Sequence, residues 1–298
     1  MVRSIRRRGV VLLLPKEYRW REQNIPGMEP YLTTAPGRID MHVRGARFAS
    51  YKTDGAVPGF TSLLAGGLRS VTQADRAVGL CLWLGHGNVN GAAFGVSEDG
   101  NSGRIVTDDL LARRGSQSVG FLHECHWIAP DGERILNESR TVRVVGGPSA
   151  GALLDIDIVM TPCAADTIVL GRSNSGLLSI CIAPSLLPDA GGQMRNSIDD
   201  FGPAAMNGRQ ASWCAANGVV DGETVGIAIL DHPENPWHPS PWVCTDDGLL
   251  SPCPFPWRTF ELKRDAPLRV KYRVVVHTGY VEAGWVHQRL RDWVNERR

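Results

Sequence analysis

The chain has 298 residues, of which 43% are hydrophobic, so it can bury a sizeable core. Its 32 basic and 31 acidic residues give a net charge of +1, which argues against a nucleic-acid-binding or membrane-surface protein. No stretch has the length needed to span a bilayer. The 33 glycines and 19 prolines favour many turns and short strands over a helical bundle.

Seven cysteines are scattered along the chain without a C-x-x-C pair, and most of them lie in apolar runs. This pattern argues against a zinc site or a disulfide framework and favours a reducing compartment. The apolar run Val10–Leu14 faintly resembles a signal peptide, but it stops at Pro15 and no small-residue cleavage site follows. We therefore predict a cytoplasmic protein.

The first part of the chain contains one clear strand signal. Residues 1–60 hold only short apolar runs broken by prolines, and no element is assigned there. Residues 78–84 form a near-continuous apolar run of strand length. They lead into a glycine-rich turn at residues 85–91, and residues 95–118 are interpreted as a polar excursion.

From residue 119 onward, alternating apolar and polar residues predict an antiparallel sheet. Residues 119–128 and 134–145 flank an Asp131-Gly132 turn signal and form a predicted hairpin. A helix is predicted at about 282–296, and its apolar stripe is Val286, Leu290 and Trp293. The fold prediction is all-β: one large antiparallel β-sandwich domain over residues 1–298 with a C-terminal helix. Further strands are predicted at residues 154–160, 178–182, 225–229 and 270–276.

The loop that follows Asp231 combines four prolines with side chains able to do chemistry. Proline fixes φ and removes a backbone donor, so this segment cannot be a central strand or a helix interior. Two interpretations stay open: a stiff connection whose tryptophans cover the core, or a ligand site on a loop that loses little entropy on binding. The side chains concerned are His232, Asn235, Trp237, His238 and Trp242.

Other candidates occur singly or in pairs. His86 and Asn90 lie between glycines that permit close backbone approach, although Asn90 could equally supply a positive φ to a turn. Glu124 and His126 share one strand face, where a carboxylate could orient a general base or where both could be solvated. Arg195 could bind an anionic or hydroxylated ligand, but ion pairing is the commoner use of arginine.

No motif with a named mechanism is present: there is no P-loop, dinucleotide fingerprint, H-E-x-x-H or G-x-S-x-G. Glu138 and Arg140 lie two residues apart on one strand face and are open to the same two interpretations as Arg195. His123 points to the face opposite Glu124 and is interpreted as a satisfied core histidine.

Several segments, taken together and in order, resemble the soluble PmoA-like domain family over roughly residues 75–278. The resemblance implies an all-β protein connected with carbohydrate chemistry and often accompanied by sugar-oxidising, NAD-dependent oxidoreductases. Methane oxidation, from which the family name derives, is discarded because it needs a membrane subunit. The matching segments are residues 85–91, 127–132, 138–141, 208–213, 225–233, 235–242, 248–255 and 272–277.

One departure from the family pattern concerns histidines. The family typically carries Asp-His-Pro-His-His where this chain has Asp75-Arg76-Ala77-Val78-Gly79. Arg76, Val78 and Gly79 therefore replace three histidines, so any function of those histidines in relatives is lost or changed here.

The leading hypothesis is a carbon–oxygen lyase or dehydratase that eliminates a β-substituent from a keto-sugar or a sugar-containing natural product. A C–H proton beside a carbonyl is acidic enough for a histidine base near neutral pH, so no cofactor and no metal is required. The predicted catalytic residues are His232, His238, Asp231, Glu124 and His126. The predicted substrate-binding residues are His86, Asn90, Arg195, Asn235, Trp237 and Trp242.

Two other hypotheses remain. A non-catalytic carbohydrate-binding or accessory subunit of a sugar oxidoreductase is favoured by the replaced histidines. A metal enzyme would use His86, His232 and His238, whose spacing is not diagnostic. The expected partners are a carbohydrate-like small molecule and an NAD-dependent oxidoreductase, with no nucleic acid and no membrane, and a homo-oligomer stays open.

Overall fold

A computed structural model describes residues 29–95, 100–115, 117–146, 151–174 and 176–296. Strands dominate it, and every strand pair is antiparallel. In chain order the strands are β1 (Tyr31–Ala35), β2 (Arg38–Val43), β3 (Ala46–Lys52), β4 (Gly59–Ala65), β5 (Arg69–Ser70), β6 (Leu82–Leu84), β7 (His86–Val89), β8 (Ala92–Phe94), β9 (Arg104–Arg114), β10 (Ser118–Ile128), β11 (Arg134–Gly146), β12 (Ala152–Pro162), β13 (Thr167–Leu170), β14 (Leu178–Cys181), β15 (Gln193–Asn196), β16 (Trp213–Val220), β17 (Glu223–Asp231), β18 (Trp242–Cys244), β19 (Leu249–Pro252), β20 (Phe260–Lys263) and β21 (Leu268–Thr278). The α-helices are α1 (Pro203–Met206) and α2 (Ala283–Asn295), and two short 3₁₀ turns lie at Pro184–Leu186 and Pro188–Ala190.

Two large sheets and one small sheet make up the fold. The nine-stranded sheet has the order β1-β2-β3-β4-β6-β14-β19-β18, with β5 paired to β4. The eight-stranded sheet has the order β15-β16-β17-β21-β12-β11-β10-β9. The small sheet has the order β20-β13-β7-β8. This arrangement confirms the predicted all-β fold with a large antiparallel β-sandwich and a C-terminal helix.

Alternation along the long strands explains the position of the core. In β12, Ile156 and Ile158 are buried on the face toward the other large sheet, while Asp157 between them is half-buried on the outer face. Burying one such aliphatic side chain stabilises the fold by about 1.5–3 kcal/mol. Side chains of both large sheets form one continuous apolar cluster, which includes Met41 of β2 and Val274 of β21.

Helix α2 covers part of the outer face of the eight-stranded sheet. Val286 and Trp293 are buried against β16, β17 and β21, as the predicted stripe requires. The end of the helix is held by charge: the guanidinium of Arg273 donates to Asp155 Oδ1 at 2.5 Å and to Glu296 Oε1 at 2.7 Å. The predicted helix at 282–296 is thus confirmed at Ala283–Asn295.

Two sequence interpretations need correction. Residues 95–118 are not a polar excursion, because β9 occupies Arg104–Arg114 at the edge of the eight-stranded sheet, where polar side chains face solvent. The strand predicted at 78–84 begins only at Leu82, because Asp75 Oδ1 accepts hydrogen bonds from the backbone N–H groups of Ala77 and Val78 and closes a turn there. The unassigned N-terminal region contains β1 to β4 between Tyr31 and Ala65.

All seven cysteines are free thiols, and only Cys163 is not buried. Burial raises the pKa of the Cys81 and Cys253 thiols to about 12, so these groups are poor nucleophiles. Within the described residues, no helix combines the length and apolarity that crossing a membrane would need.

Candidate functional site

Asp231 is a fully buried carboxylate at the end of β17. The alternation that buries Ile227 and Ile229 points the Asp231 side chain toward the space between the two large sheets. Its Oδ1 accepts a hydrogen bond from Asn235 Nδ2 at 2.7 Å, and its Oδ2 accepts one from the backbone N–H of Ser240 at 2.9 Å. These donors compensate part of the cost of removing the charge from water.

His238 is the side chain that pairs with the Asp231 carboxylate. Its Nδ1 lies 2.8 Å from Asp231 Oδ2, and 17% of the His238 side chain remains exposed, whereas the Asp231 side chain is entirely enclosed. A carboxylate at Nδ1 fixes the tautomer and stabilises the protonated ring. Nε2 is then the nitrogen able to exchange a proton with a ligand.

Asn235 ties the loop to the neighbouring strand. Besides Asp231, its Nδ2 donates to the Lys271 carbonyl at 2.8 Å, and its Oδ1 accepts from the Lys271 N–H at 2.7 Å. Asn235 is buried, and its bond to Asp231 is shielded from water, whereas the two bonds to Lys271 are partly buried. The residue predicted to bind substrate therefore lies in the site as a support for Asp231.

His232, the other predicted base, has a different environment. It is buried, its Nδ1 accepts a hydrogen bond from the Glu234 N–H at 3.1 Å, and its ring packs edge-on against Trp293 of α2 at 4.7 Å. The geometry therefore favours His238 over His232 as the group that meets a ligand.

Trp237 and Trp242 are both buried rather than presented to solvent. The Trp242 indole donates to the Ala211 carbonyl at 2.8 Å, and the Trp237 ring packs edge-on against Phe255 and Phe260, each at 5.5 Å. This arrangement matches the interpretation in which the tryptophans cover the core. Neither ring is placed to stack on a sugar in the arrangement described.

His86 begins β7, whereas Asn90 lies in the turn between β7 and β8. His86 is buried, with its Nε2 3.0 Å from the Gly171 carbonyl and its ring 4.3 Å from that of Phe255, which also contacts Trp237. Asn90 is exposed at φ 50°, and its Oδ1 accepts from the Val169 N–H at 2.8 Å. The positive φ is the turn role that the alternative interpretation of Asn90 predicts.

Glu124 and His126 lie far from Asp231. They point to the outer face of the eight-stranded sheet, whereas Asp231 points inward, and four strand spacings of about 4.8 Å separate β10 from β17. Glu124 accepts from Ser139 Oγ at 2.9 Å, and His126 Nε2 lies 3.1 Å from Asp108. The sheet therefore keeps Glu124 and His126 apart from Asp231 and the loop histidines, so the predicted catalytic residues do not form one site.

Arg195 of β15 contacts residues that follow this strand in the chain. Its Nη2 lies 2.5 Å from Asp199 Oδ1, and its guanidinium packs over the Phe201 ring at 5.0 Å. This is the ion pairing that the alternative interpretation of Arg195 predicts.

A buried polar network joins the two large sheets away from the loop. Arg140 and Glu138 form an ion pair at 2.7 Å, and both are almost completely enclosed. His123 Nδ1 lies 2.8 Å from the Tyr51 hydroxyl, which also accepts from Arg140, so the interpretation of His123 as a satisfied core histidine is confirmed. Burial and the nearby Arg140 charge lower the pKa of His123 to about 3.

No sequence pattern predicted that the backbone N–H of Ser240 donates to Asp231, because that contact depends on how the loop folds back. In the part of the chain that the structure describes, no three His, Cys, Asp or Glu side chains are grouped so that they could hold a metal ion. His86, His232 and His238 thus do not form one metal site there.

The solved structures similar to this chain include two remote likenesses. A structure described as "Putative kojibiose phosphorylase from human microbiome" is 9% identical with a TM-score of 0.38, and the match covers 92% of this chain but only 37% of that one. A putative aldose 1-epimerase from Escherichia coli K12 is 8% identical with a TM-score of 0.40, covering 86% of this chain and 100% of the other.

A search of curated proteins returns no match. A family model described as "Family of unknown function (DUF6807)" matches residues 38–291, which include the whole of the loop and both large sheets except β1. The chain therefore belongs to this family of unknown function.

Proposed function

We propose that the protein is an acid–base enzyme that acts on a carbohydrate-like small molecule at His238. The observation that carries the proposal is the 2.8 Å contact between His238 Nδ1 and the enclosed carboxylate of Asp231, on a histidine that still reaches the surface. A buried carboxylate behind a partly exposed imidazole is an arrangement suited to proton transfer. Two prolines between Asp231 and His238 and two more after His238 limit the freedom of the loop.

The reaction proposed is β-elimination from a keto-sugar or its glycoside. His238 Nε2 removes the proton from the carbon next to the carbonyl, and the electron pair of that C–H bond forms a carbon–carbon double bond. The bond from the β-carbon to its oxygen substituent breaks, and the leaving oxygen takes the proton back from the imidazolium. Asp231 stabilises the imidazolium between these two transfers. Atoms and electrons balance without an oxidant or reductant.

The test uses keto-sugars made by a sugar dehydrogenase and offered to the purified protein. We expect formation of the unsaturated keto-sugar, measured by its ultraviolet absorbance, and a fall in rate of about 10²–10⁴-fold in His238→Ala. His126→Ala is the matched control, because His126 also contacts a carboxylate but lies on the opposite face of the sheet. Absence of product from the whole panel, or an unchanged rate in His238→Ala, would refute the proposal.

A second candidate is a carbohydrate-binding accessory subunit of a sugar oxidoreductase. The turn at Arg76 to Val78, closed by Asp75, favours it, since the resemblance to the PmoA-like family leads one to expect histidines there. Sugar binding without turnover, together with an oxidoreductase activity that depends on this chain, would support this candidate over the first. The PmoA-like resemblance and the cytoplasmic localisation remain predictions.

A further inference from the structure

Trp257 is an exposed aromatic residue beside the His238 loop. Half of its surface (50%) is accessible, whereas Trp237 and Trp242 are buried. The segment that carries it runs along the loop: the Cys253 N–H donates to the Pro241 carbonyl at 2.8 Å, and the Phe255 ring contacts Trp237. An exposed tryptophan loses favourable burial unless something covers it.

The Trp257 ring lies directly against the backbone of Gly208. A β-carbon at residue 208 would lie 3.3 Å from ring atom Cζ2, closer than ordinary van der Waals contact, and Gly208 has a φ of +78°. Gly208 is itself fixed to the loop, because its N–H donates to the Trp242 carbonyl at 2.8 Å. Because residue 208 has no side chain, the indole can pack against a backbone that is hydrogen-bonded to the loop, while half of the Trp257 surface stays exposed.

Two polar residues follow Gly208 in the chain. Arg209 and Gln210 are exposed, and Arg209 Nε forms an ion pair with Asp200 Oδ2 at 3.3 Å. Gln210 Nε2 donates to the Pro239 carbonyl at 3.2 Å, which connects this segment to the residue after His238. An exposed aromatic face is suited to a sugar, whose C–H face is apolar.

The pairing of the two segments places Gly208 and His238 on opposite sides of one bridge. Gln210 pairs with Pro241 in this antiparallel bridge, and His238 lies three residues before Pro241 while Gly208 lies two residues before Gln210. A ligand that contacts both His238 and the Trp257 ring beside Gly208 therefore reaches across the bridge.

From these contacts we infer that Trp257 is a stacking platform of the His238 site and that its ligand is a glycoside or oligosaccharide of at least two units. The ring that reacts lies at His238, and a following unit stacks on Trp257. This inference rests on the proposed function for the position of the reacting ring. It replaces Trp237 and Trp242, the two tryptophans expected from the sequence, with a third whose ring is accessible.

The test is calorimetric binding of glucose, cellobiose, maltose and the keto derivative of each. His238→Ala serves as the background, so that binding is measured without turnover. Adding Trp257→Ala should weaken binding of at least one disaccharide about tenfold and leave the monosaccharides unchanged. Trp257→Phe should restore most of the affinity, because it keeps a flat apolar ring. Tyr280→Ala is the matched control, since Tyr280 is an exposed aromatic (55%) that follows β21, outside the His238 loop.

Three results would overturn the inference: no binding of any of these sugars, disaccharide binding unchanged by Trp257→Ala, or equal losses for monosaccharides and disaccharides. The same data separate it from the proposed function. If no sugar is turned over but Trp257→Ala selectively weakens disaccharide binding, the platform stands and the enzyme proposal fails. If His238→Ala abolishes turnover and Trp257→Ala leaves binding unchanged, the enzyme proposal stands and the platform fails.

Discussion

Replacing Asn235 with alanine tests how the loop is held against the eight-stranded sheet. The substitution removes three hydrogen bonds: a buried one to the Asp231 carboxylate at 2.7 Å and two partly buried ones to the backbone of Lys271 at 2.7 and 2.8 Å. A hydrogen bond to a charged group contributes about 1.5–3 kcal/mol, and each neutral one contributes about 1 kcal/mol. We therefore expect the free energy of unfolding to fall by about 4 kcal/mol.

Relaxation of the loop cannot recover much of this loss, because four prolines between residues 233 and 241 restrict the backbone. The assay is urea denaturation followed by tryptophan fluorescence, supported by a thermal melt in which the midpoint should fall by about 10 °C. Asn137→Ala is the control, since half-buried Asn137 accepts one hydrogen bond from Arg134 at 2.8 Å. Its loss should stay below about 1 kcal/mol.

The reasoning is refuted if Asn235→Ala costs less than about 1 kcal/mol, or no more than Asn137→Ala. Either result would mean that water or a shifted loop satisfies Asp231 and the Lys271 backbone as well as Asn235 does. The loop would then lack the rigidity on which the proposed role of His238 depends.

Two further predictions concern stability. Arg140→Met leaves the Glu138 carboxylate buried without its cation and should cost about 3–5 kcal/mol in urea denaturation, whereas Lys52→Ala, which removes an exposed ion pair, should cost under about 1 kcal/mol. Burial lowers the pKa of His277 from 6.5 to about 4, so the folded state holds this imidazole neutral. The contribution of this neutral imidazole to the free energy of unfolding is full above pH 6.5 and is lost as the pH falls toward 4. The total loss is on the order of 3 kcal/mol. His277→Gln should flatten the fall in unfolding free energy over that interval, and a slope equal to that of the unmutated protein would contradict this account.

Local patterns predicted the strands that have two contrasting faces. β12 alternates over residues 154–158 and β21 over residues 268–274, because one face meets the core and the other carries Asp155, Asp157 and Arg273. β9 escaped prediction because it is an edge strand, where Asp108 and Asp109 occur together and blur the period of two. The two aspartates can follow each other because the pairing register shifts beside Glu124. Asp109 lies opposite Glu124 and Thr107 lies opposite Cys125, so Asp108 is the extra residue of a β-bulge.

The site was predictable only where its residues are close together in the sequence. Asp231, Asn235 and His238 lie within one short loop, so sequence proximity brings them together. Glu124 is separated from them by strand order and by the direction of its side chain, neither of which a single sequence records. The burial of Trp242 and the exposure of Trp257 depend on how distant segments pack, so the composition of the loop could not distinguish the two.

The position of β21 has a consequence for how the chain is made in the cell. β21 lies in the middle of its sheet, between β12 and β17, yet it begins at Leu268, which follows the end of β12 at Pro162 by 106 residues (268 minus 162). At typical translation speeds, the ribosome needs roughly 5 to 20 s to make that length. Throughout that interval β12 has an unpaired edge, a surface to which other nascent chains can pair. Newly made protein is therefore most exposed to aggregation just before synthesis reaches β21, and chaperone binding during this interval would do the most to raise the folded yield.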